Sequence, residues 1–179
     1  MYNFSQSGNS KREEKLNILK RRPTMILTEK ETTALKELQT QEKICMDHYN
    51  LCAASAKDQG LKDLFSQIAK DEQDHYRVLG KLMEGEIPSL PESRLDSSTY
   101  HPAAAYDSTS NQGDKQHDEI LCSDSIGNEK MVSSDYNAGV FRFGSSDVRK
   151  VLNRIQTQEQ QHAEMIYKYK QQNGMTASC

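Results

Sequence analysis

Apolar residues recur along this chain in long runs with helical spacing, separated by polar stretches that have no period. In the first run Leu35, Leu38, Glu42, Cys45, Tyr49 and Cys52 or Ala53 follow at steps of three and four, which places them on one face of a helix. Thr28-Glu29-Lys30-Glu31 precedes the run and has the Thr-x-x-Glu form, in which each side chain bonds the other residue's free backbone N–H. A helix is predicted to start there and to end at Gly60. Leu61, Leu64, Phe65, Ile68, Glu72, His75, Leu79 and Leu82 repeat the rhythm as far as Met83. The two runs read as antiparallel helices joined by a short turn.

Residues 85–116 break the pattern. They hold Pro88, Pro91 and Pro102 among Ser and Asn and read as a linker of about 30 residues, a length that needs a reason inside a compact domain. Extended, such a segment spans the roughly 38 Å of a 25-residue helix. It can therefore return the chain to the opposite end of a bundle. Residues 1–27, rich in Ser, Asn and Gly at the start and closed by Pro23, read as a loosely held arm.

Beyond the linker the first pattern returns at an offset of 87 positions without a gap. Glu42, Lys43, Tyr49, Asn50, Ile68, Glu72, Gln73 and His75 fall on Glu129, Lys130, Tyr136, Asn137, Ile155, Glu159, Gln160 and His162. Apolar positions follow, with Leu61, Leu64, Phe65 and Leu79 matched by Val148, Val151, Leu152 and Ile166. The second half is thus expected to be another hairpin of the same shape. Its helices are expected over 115–143 and 146–172, with Gly174 at the C-terminal glycine position. The fold class expected is all-α: an up-down-down-up four-helix bundle of the ferritin type, built from two tandem hairpins. The domain is placed at 28–175, with hairpins at 28–84 and 117–172, the crossover linker at 85–116 and a tail at 173–179.

Six ionisable residues occupy positions that the period assigns to apolar faces: Glu42, Glu72, His75, Glu129, Glu159 and His162. A buried carboxylate costs several kcal/mol unless paired, neutralised or bound to a metal. With the first turn centred between residues 57 and 58, Glu42 and Glu72 each lie about 22 Å from it and face each other at one height. His75, three residues beyond Glu72, shares its side of the helix. The other half puts Glu129, Glu159 and His162 at the same level. One Glu from each of two helices with a Glu-x-x-His from each of the other two is the pattern of two-metal carboxylate bundles. Oxygen-rich ligation with two imidazoles suits two iron or manganese ions. A metal-free hydrogen-bonded network of the same six residues is the competing account.

Tyr49 and Tyr136 lie seven residues after Glu42 and Glu129 on the same face. There a phenol is within reach of a carboxylate, although a packed core tyrosine is the plainer account. His48, His101 and His117 lie off the motif and read as surface residues, and Lys43 and Lys130 as solvated flanks.

Composition narrows the classes. In 179 residues with a 35% hydrophobic share there is one core and polar appendages. A net charge of −3 provides no basic field for nucleic acid. No apolar run approaches the roughly 20 residues of a membrane span, and the start of the chain, with Lys11, Arg12, Lys15 and Lys20, lacks the apolar stretch of a signal peptide. Cys45, Cys52, Cys122 and Cys179 form no Cys-x-x-Cys pair and read as core fillers and a free terminal thiol of a protein made in a reducing compartment.

Several stretches resemble the spore coat protein F family of endospore-forming bacteria, a ferritin-like group. They are Gln41-Glu42-Lys43 with Tyr49-Asn50; Leu121-Cys122-Ser123-Asp124 leading to Asn128-Glu129-Lys130 and Tyr136-Asn137; and Val148-Arg149-Lys150-Val151-Leu152 through Ile155-Gln156 to Glu159 and His162. Ile166-Tyr167-Lys168-Tyr169 and Asn173-Gly174-Met175 add to it. The resemblance covers about residues 28–175 and is closer in the second half. It implies a component of the shell around the endospore, made in the mother-cell cytoplasm and deposited on the forespore, with other coat proteins as partners and a homo-oligomer left open. It implies no enzyme activity, and members of the family differ in whether they retain the ligand residues. All six positions are filled here.

Three functions compete at this level. One is a structural coat protein in which metal serves to hold the bundle. Another is a two-metal oxidoreductase acting on peroxide or ferrous iron and protecting the spore. The third is a metal-free binding module, which needs its buried Glu residues protonated or paired. A rubrerythrin would add paired Cys-x-x-Cys motifs, and a storage ferritin a short fifth helix; neither is read here.

Overall fold

The computed structural model describes residues 25–176. The expected arm lies almost wholly outside the described residues, as does Cys179. Among the described residues there are four long helices and no strand: α1 Glu29–Ser55, α2 Gln59–Met83, α3 Gln112–Gly139 and α4 Ser146–Gln172, with one turn of 3-10 helix at Val140–Arg142 after α3.

Each helix starts on a side-chain cap. The capping box at Thr28 is formed, with Glu31 N–H donating to Thr28 Oγ1 at 3.2 Å and Thr28 N–H to Glu31 Oε2 at 2.9 Å. Gly60 does not end α1, as its position in the pattern suggested. Ala56 does, and Gly60 lies inside the first turn of α2. The cause is Asp58, whose carboxylate accepts the Leu61 N–H at 2.9 Å. A Cβ at Gly60 would stand 3.0 Å from that carboxylate oxygen, so the glycine makes room for the cap. The linker is likewise shorter than the expected 85–116. Asn111 Oδ1 accepts from Gly113 N–H at 2.8 Å and Asp114 N–H at 3.3 Å, and α3 begins at Gln112. Gly85 and Gly174 follow α2 and α4 with φ of 82° and 58°, the left-handed backbone in which glycine pays no Cβ penalty.

Helix α1 packs most extensively on α2, and α3 on α4. The buried apolar residues form two clusters. One contains Leu35, Leu38, Leu79, Leu82, Val132, Tyr136, Leu152 and Ile155. The other contains Tyr49, Leu61, Leu64, Phe65, Ile68, Cys122, Met165 and Ile166. In α2, α3 and α4 the charged residues singled out above lie between the segments that feed the two clusters, and in α1 Glu42 lies between Leu38 and Cys45 near the end of the segment that feeds the first. The core is therefore two apolar layers with a polar layer between them.

The linker lies on the bundle surface and contributes to both layers. Leu90 is buried in the first cluster, while Leu95, Tyr100 and Tyr106 pack against the second. Buried Asp118 of α3 ties three pieces together, accepting from the backbone N–H groups of Lys57 and Asp58 at 2.8 and 2.9 Å and from Tyr106 Oη at 2.6 Å. Cys45, Cys52 and Cys122 are free and buried. No described helix is long and apolar enough to cross a membrane.

Candidate metal centre

All six ionisable residues on the apolar faces come together in the polar layer. Glu42, Glu72, His75, Glu159 and His162 are fully buried and Glu129 is 2% exposed. Glu42 comes from α1, Glu72 and His75 from α2, Glu129 from α3, and Glu159 and His162 from α4. The i, i+3 spacing of each Glu-x-x-His puts its two side chains on one side of their helix, one turn apart.

The ligating atoms form two groups, Glu42, Glu72, His75 and Glu159, and Glu72, Glu129, Glu159 and His162, each with its atoms within 4.8 Å of one another. Glu72 and Glu159 belong to both. His75 Nδ1 lies 2.9 Å from Glu159 Oε1, 3.3 Å from Glu72 Oε2 and 3.4 Å from Glu42 Oε2. His162 Nδ1 lies 3.1 Å from Glu72 Oε1 and 3.7 Å from Glu129 Oε1. The two rings are near parallel, with centroids 5.9 Å apart.

Despite these separations, much of the cluster is unpaired. Glu42 Oε2, Glu72 Oε1, Glu129 Oε2, both Glu159 oxygens and both His162 nitrogens are buried without a partner in hydrogen-bond geometry. An orphaned buried polar atom costs about 1–3 kcal/mol, and more when charged. Lone pairs that converge on a common point without pairing are what a cation bound by carboxylates and imidazoles requires. The donor set therefore fits a metal.

Electrostatics points the same way. Burial pushes Glu42 up to about 8 and is opposed by His75, while the negative charge of Glu72 adds to the rise. Burial, with Glu72, Glu129 and Glu42 nearby, holds Glu159 well above the ordinary carboxylate range. Burial also works to raise Glu72, but the His162 and His75 rings on either side outweigh it and hold Glu72 low. Burial works against charge on both imidazoles as well, yet the surrounding carboxylates raise His75 and His162 well above their ordinary range. Without a metal, protons do the neutralising.

Both tyrosines reach the centre, but each crosses the bundle. Tyr49 Oη donates to Glu129 Oε1 and Tyr136 Oη to Glu42 Oε1. Burial, with Glu129 beside Tyr49 and Glu42 beside Tyr136, raises both phenols well above 10, so they stay protonated donors.

Of the other histidines, only His101 is fully on the surface. His48 is half-buried against Ser125 Oγ at 3.0 Å, and His117 half-buried against Ser55 Oγ at 3.0 Å. Both stand on facing sides of α1 and α3, which hides surface that helical spacing alone left open. Lys43 and Lys130 are exposed.

Two residues of the centre's surroundings were not anticipated. Gln158 Oε1 stands 2.8 Å from His75 Nε2, and Asp71 Oδ2 stands 3.5 Å from His162 Nε2. Each directly precedes the Glu of a Glu-x-x-His, at the same offset of 87. That correspondence was the available signal, obscured because Asp and Gln differ in charge and neither is apolar.

Residues 117–178 match the Coat F domain family, and residues 2–83 match the Rubrerythrin family. No curated protein and no solved structure matches the chain. The Rubrerythrin match falls on the stretch that holds α1 and α2. The two matches fall on different halves, and both families are ferritin-like. The chain is thus similar over residues 117–178 to the Coat F domain family and over residues 2–83 to the Rubrerythrin family.

Proposed function

We propose that this protein is a spore coat component whose ferritin-like bundle holds two divalent ions, iron or manganese, in its polar layer. The observation that carries the reading is the pair of four-residue groups sharing Glu72 and Glu159. In this reading Glu42 and His75 complete one ion position and Glu129 and His162 the other. Glu72 and Glu159 serve both. Two such ions, when bound, supply Lewis-acid and redox chemistry. The chain's own residues orient the ligands, hold the phenol protons of Tyr49 and Tyr136 against the terminal carboxylates, and keep bulk water away.

The bundle is assigned the up-down-down-up order, with tandem hairpins at 28–84 and 117–172 within a domain of 28–175. Membership of the apolar clusters supports it, since one cluster takes the early part of α1 and α4 and the late part of α2 and α3. Contacts with other coat proteins are assigned to residues 1–27 and the outer side of the linker. The family match carries the spore coat reading.

A second reading is a two-metal oxidoreductase that consumes peroxide or oxidises ferrous iron. The observation in its favour is the pair of buried phenols on the terminal carboxylates, placed for one-electron or proton transfer. Elemental analysis after loading with ferrous or manganous salt tests the main reading. About two ions per chain, lost on changing the Glu-x-x-His residues, support it; no stoichiometric metal overturns it. Peroxide consumption by the loaded protein distinguishes the second reading from a structural centre.

A further inference from the structure

Gln158 and Asp71, which stand behind the two imidazoles, are both held by one short stretch of the linker. Gln158 Nε2 donates to the Pro91 carbonyl at 3.1 Å. Asp71 accepts from Ser93 Oγ at 2.5 Å, from the Arg94 guanidinium at 2.6 Å and from the Arg94 N–H at 3.2 Å. Arg94 is anchored further by Asp74 at 2.7 Å, and Leu90, just ahead of the stretch, is buried in the core.

The polarity of these bonds decides which ring nitrogen carries a proton. A carbonyl only accepts, so Pro91 requires the amide NH₂ of Gln158 to face it and leaves Oε1 for His75. An acceptor at Nε2 calls for N–H there, and Nδ1 then presents its lone pair to the carboxylates. Asp71, supplied with donors by Ser93 and Arg94, brings its Oδ2 to 3.5 Å from His162 Nε2, a carboxylate beside the ring with no hydrogen bond between them. The two backings differ in charge, one being a neutral amide and the other a carboxylate. A carboxylate behind a ligating imidazole raises its basicity and adds negative charge near the ion.

We propose that the linker segment Pro91–Arg94 positions both metal-facing imidazoles through Gln158 and Asp71, and that Asp71 makes the ion position of Glu129 and His162 the tighter of two unequal positions. The inference rests on the reading of the six residues as metal ligands. Asp71 and Gln158 are positioning residues that act through the rings. The linker is thereby part of the centre as well as a connection.

Titration of the chelator-treated full chain with Mn²⁺, following free Mn²⁺ by electron paramagnetic resonance, tests it. The unaltered chain takes up Mn²⁺ in two steps that differ at least about tenfold in affinity. Asp71→Asn weakens the tighter step about ten- to a hundredfold and leaves the looser step within about threefold. Gln158→Leu weakens the looser step alone. The pair Ser93→Ala with Arg94→Ala touches none of the six residues and weakens the tighter step while helical circular dichroism is unchanged. Two steps of equal affinity in the unaltered chain overturn the inference and leave the proposed function standing. So does a loss shared by both steps in Asp71→Asn, or no change in the Ser93 and Arg94 pair. No Mn²⁺ uptake by the unaltered chain overturns the proposed function, and the inference with it.

Discussion

The phenol of Tyr49 on α1 donates its hydrogen bond to the carboxylate of Glu129 on α3, eighty positions away along the chain. Tyr136 does the same in return for Glu42. Each terminal carboxylate is thus oriented by the other half of the molecule, and the two halves are locked through the polar layer.

Removing these donors separates orientation from packing. Tyr49→Phe keeps the ring volume but leaves a Glu129 oxygen without its phenol. Affinity for Mn²⁺ is expected to fall by about tenfold with the fold retained. Calorimetric titration beside a thermal melt checks it; an unchanged affinity would reduce Tyr49 to a core filler.

Glu72 and Glu159, which belong to both four-residue groups, are the residues on which the proposed centre depends most. Glu72→Ala with Glu159→Ala is expected to abolish binding of two metals and to keep the helical circular dichroism of the parent. Retention of two ions per chain would refute the site.

Stability of the metal-free protein is expected to fall as pH rises. Glu42 is raised from an ordinary 4.5 to about 8 and Glu159 is raised as well. Between those values the folded state binds more protons than the unfolded state, so its stability declines with increasing pH. The raised His75 and His162 act in the same direction above 6.5. Lowered Glu72 acts oppositely, but only below its ordinary 4.5. The melting temperature without metal is expected to drop by about 5 °C or more from pH 6 to pH 8.5. Bound cations displace the same protons, so loaded protein is expected to lose the trend or reverse it. A melt series at both pH values with and without Mn²⁺ decides.

Away from the centre, Asp118 is the residue whose loss is expected to loosen the bundle most for its size. Asp118→Ala leaves the N–H groups of Lys57 and Asp58 and the Tyr106 hydroxyl without their acceptor. The cost expected is about 2–4 kcal/mol, read as a shift in the urea midpoint, with the metal stoichiometry unchanged.

Much of this was legible in the residues. The Thr-x-x-Glu box announced the start of α1, and Glu42, Glu72, His75, Glu129, Glu159 and His162 stood out as charge on apolar faces. Local rules sufficed, because a cap bonds within its own first turn and a helical period reports which residues share a face. Where a local rule was overridden, the override was also short-range: Asp58 drew α2 ahead of Gly60, and Asn111 drew α3 into the expected linker.

Periodicity and the offset of 87 were enough to read the helices, their burying faces and the six residues that a two-metal bundle would use. They carry no information on which side chain meets which across the bundle. That Tyr49 serves Glu129 and not Glu42, that Glu72 and Glu159 lie in both groups, and that Pro91, Ser93 and Arg94 reach the back of the histidines through Gln158 and Asp71 all follow from packing. These contacts join residues from different helices and from an aperiodic linker. Their distances are settled only when two apolar layers close around the charged one, and burial then forces every polar atom in that layer to find a partner or an ion.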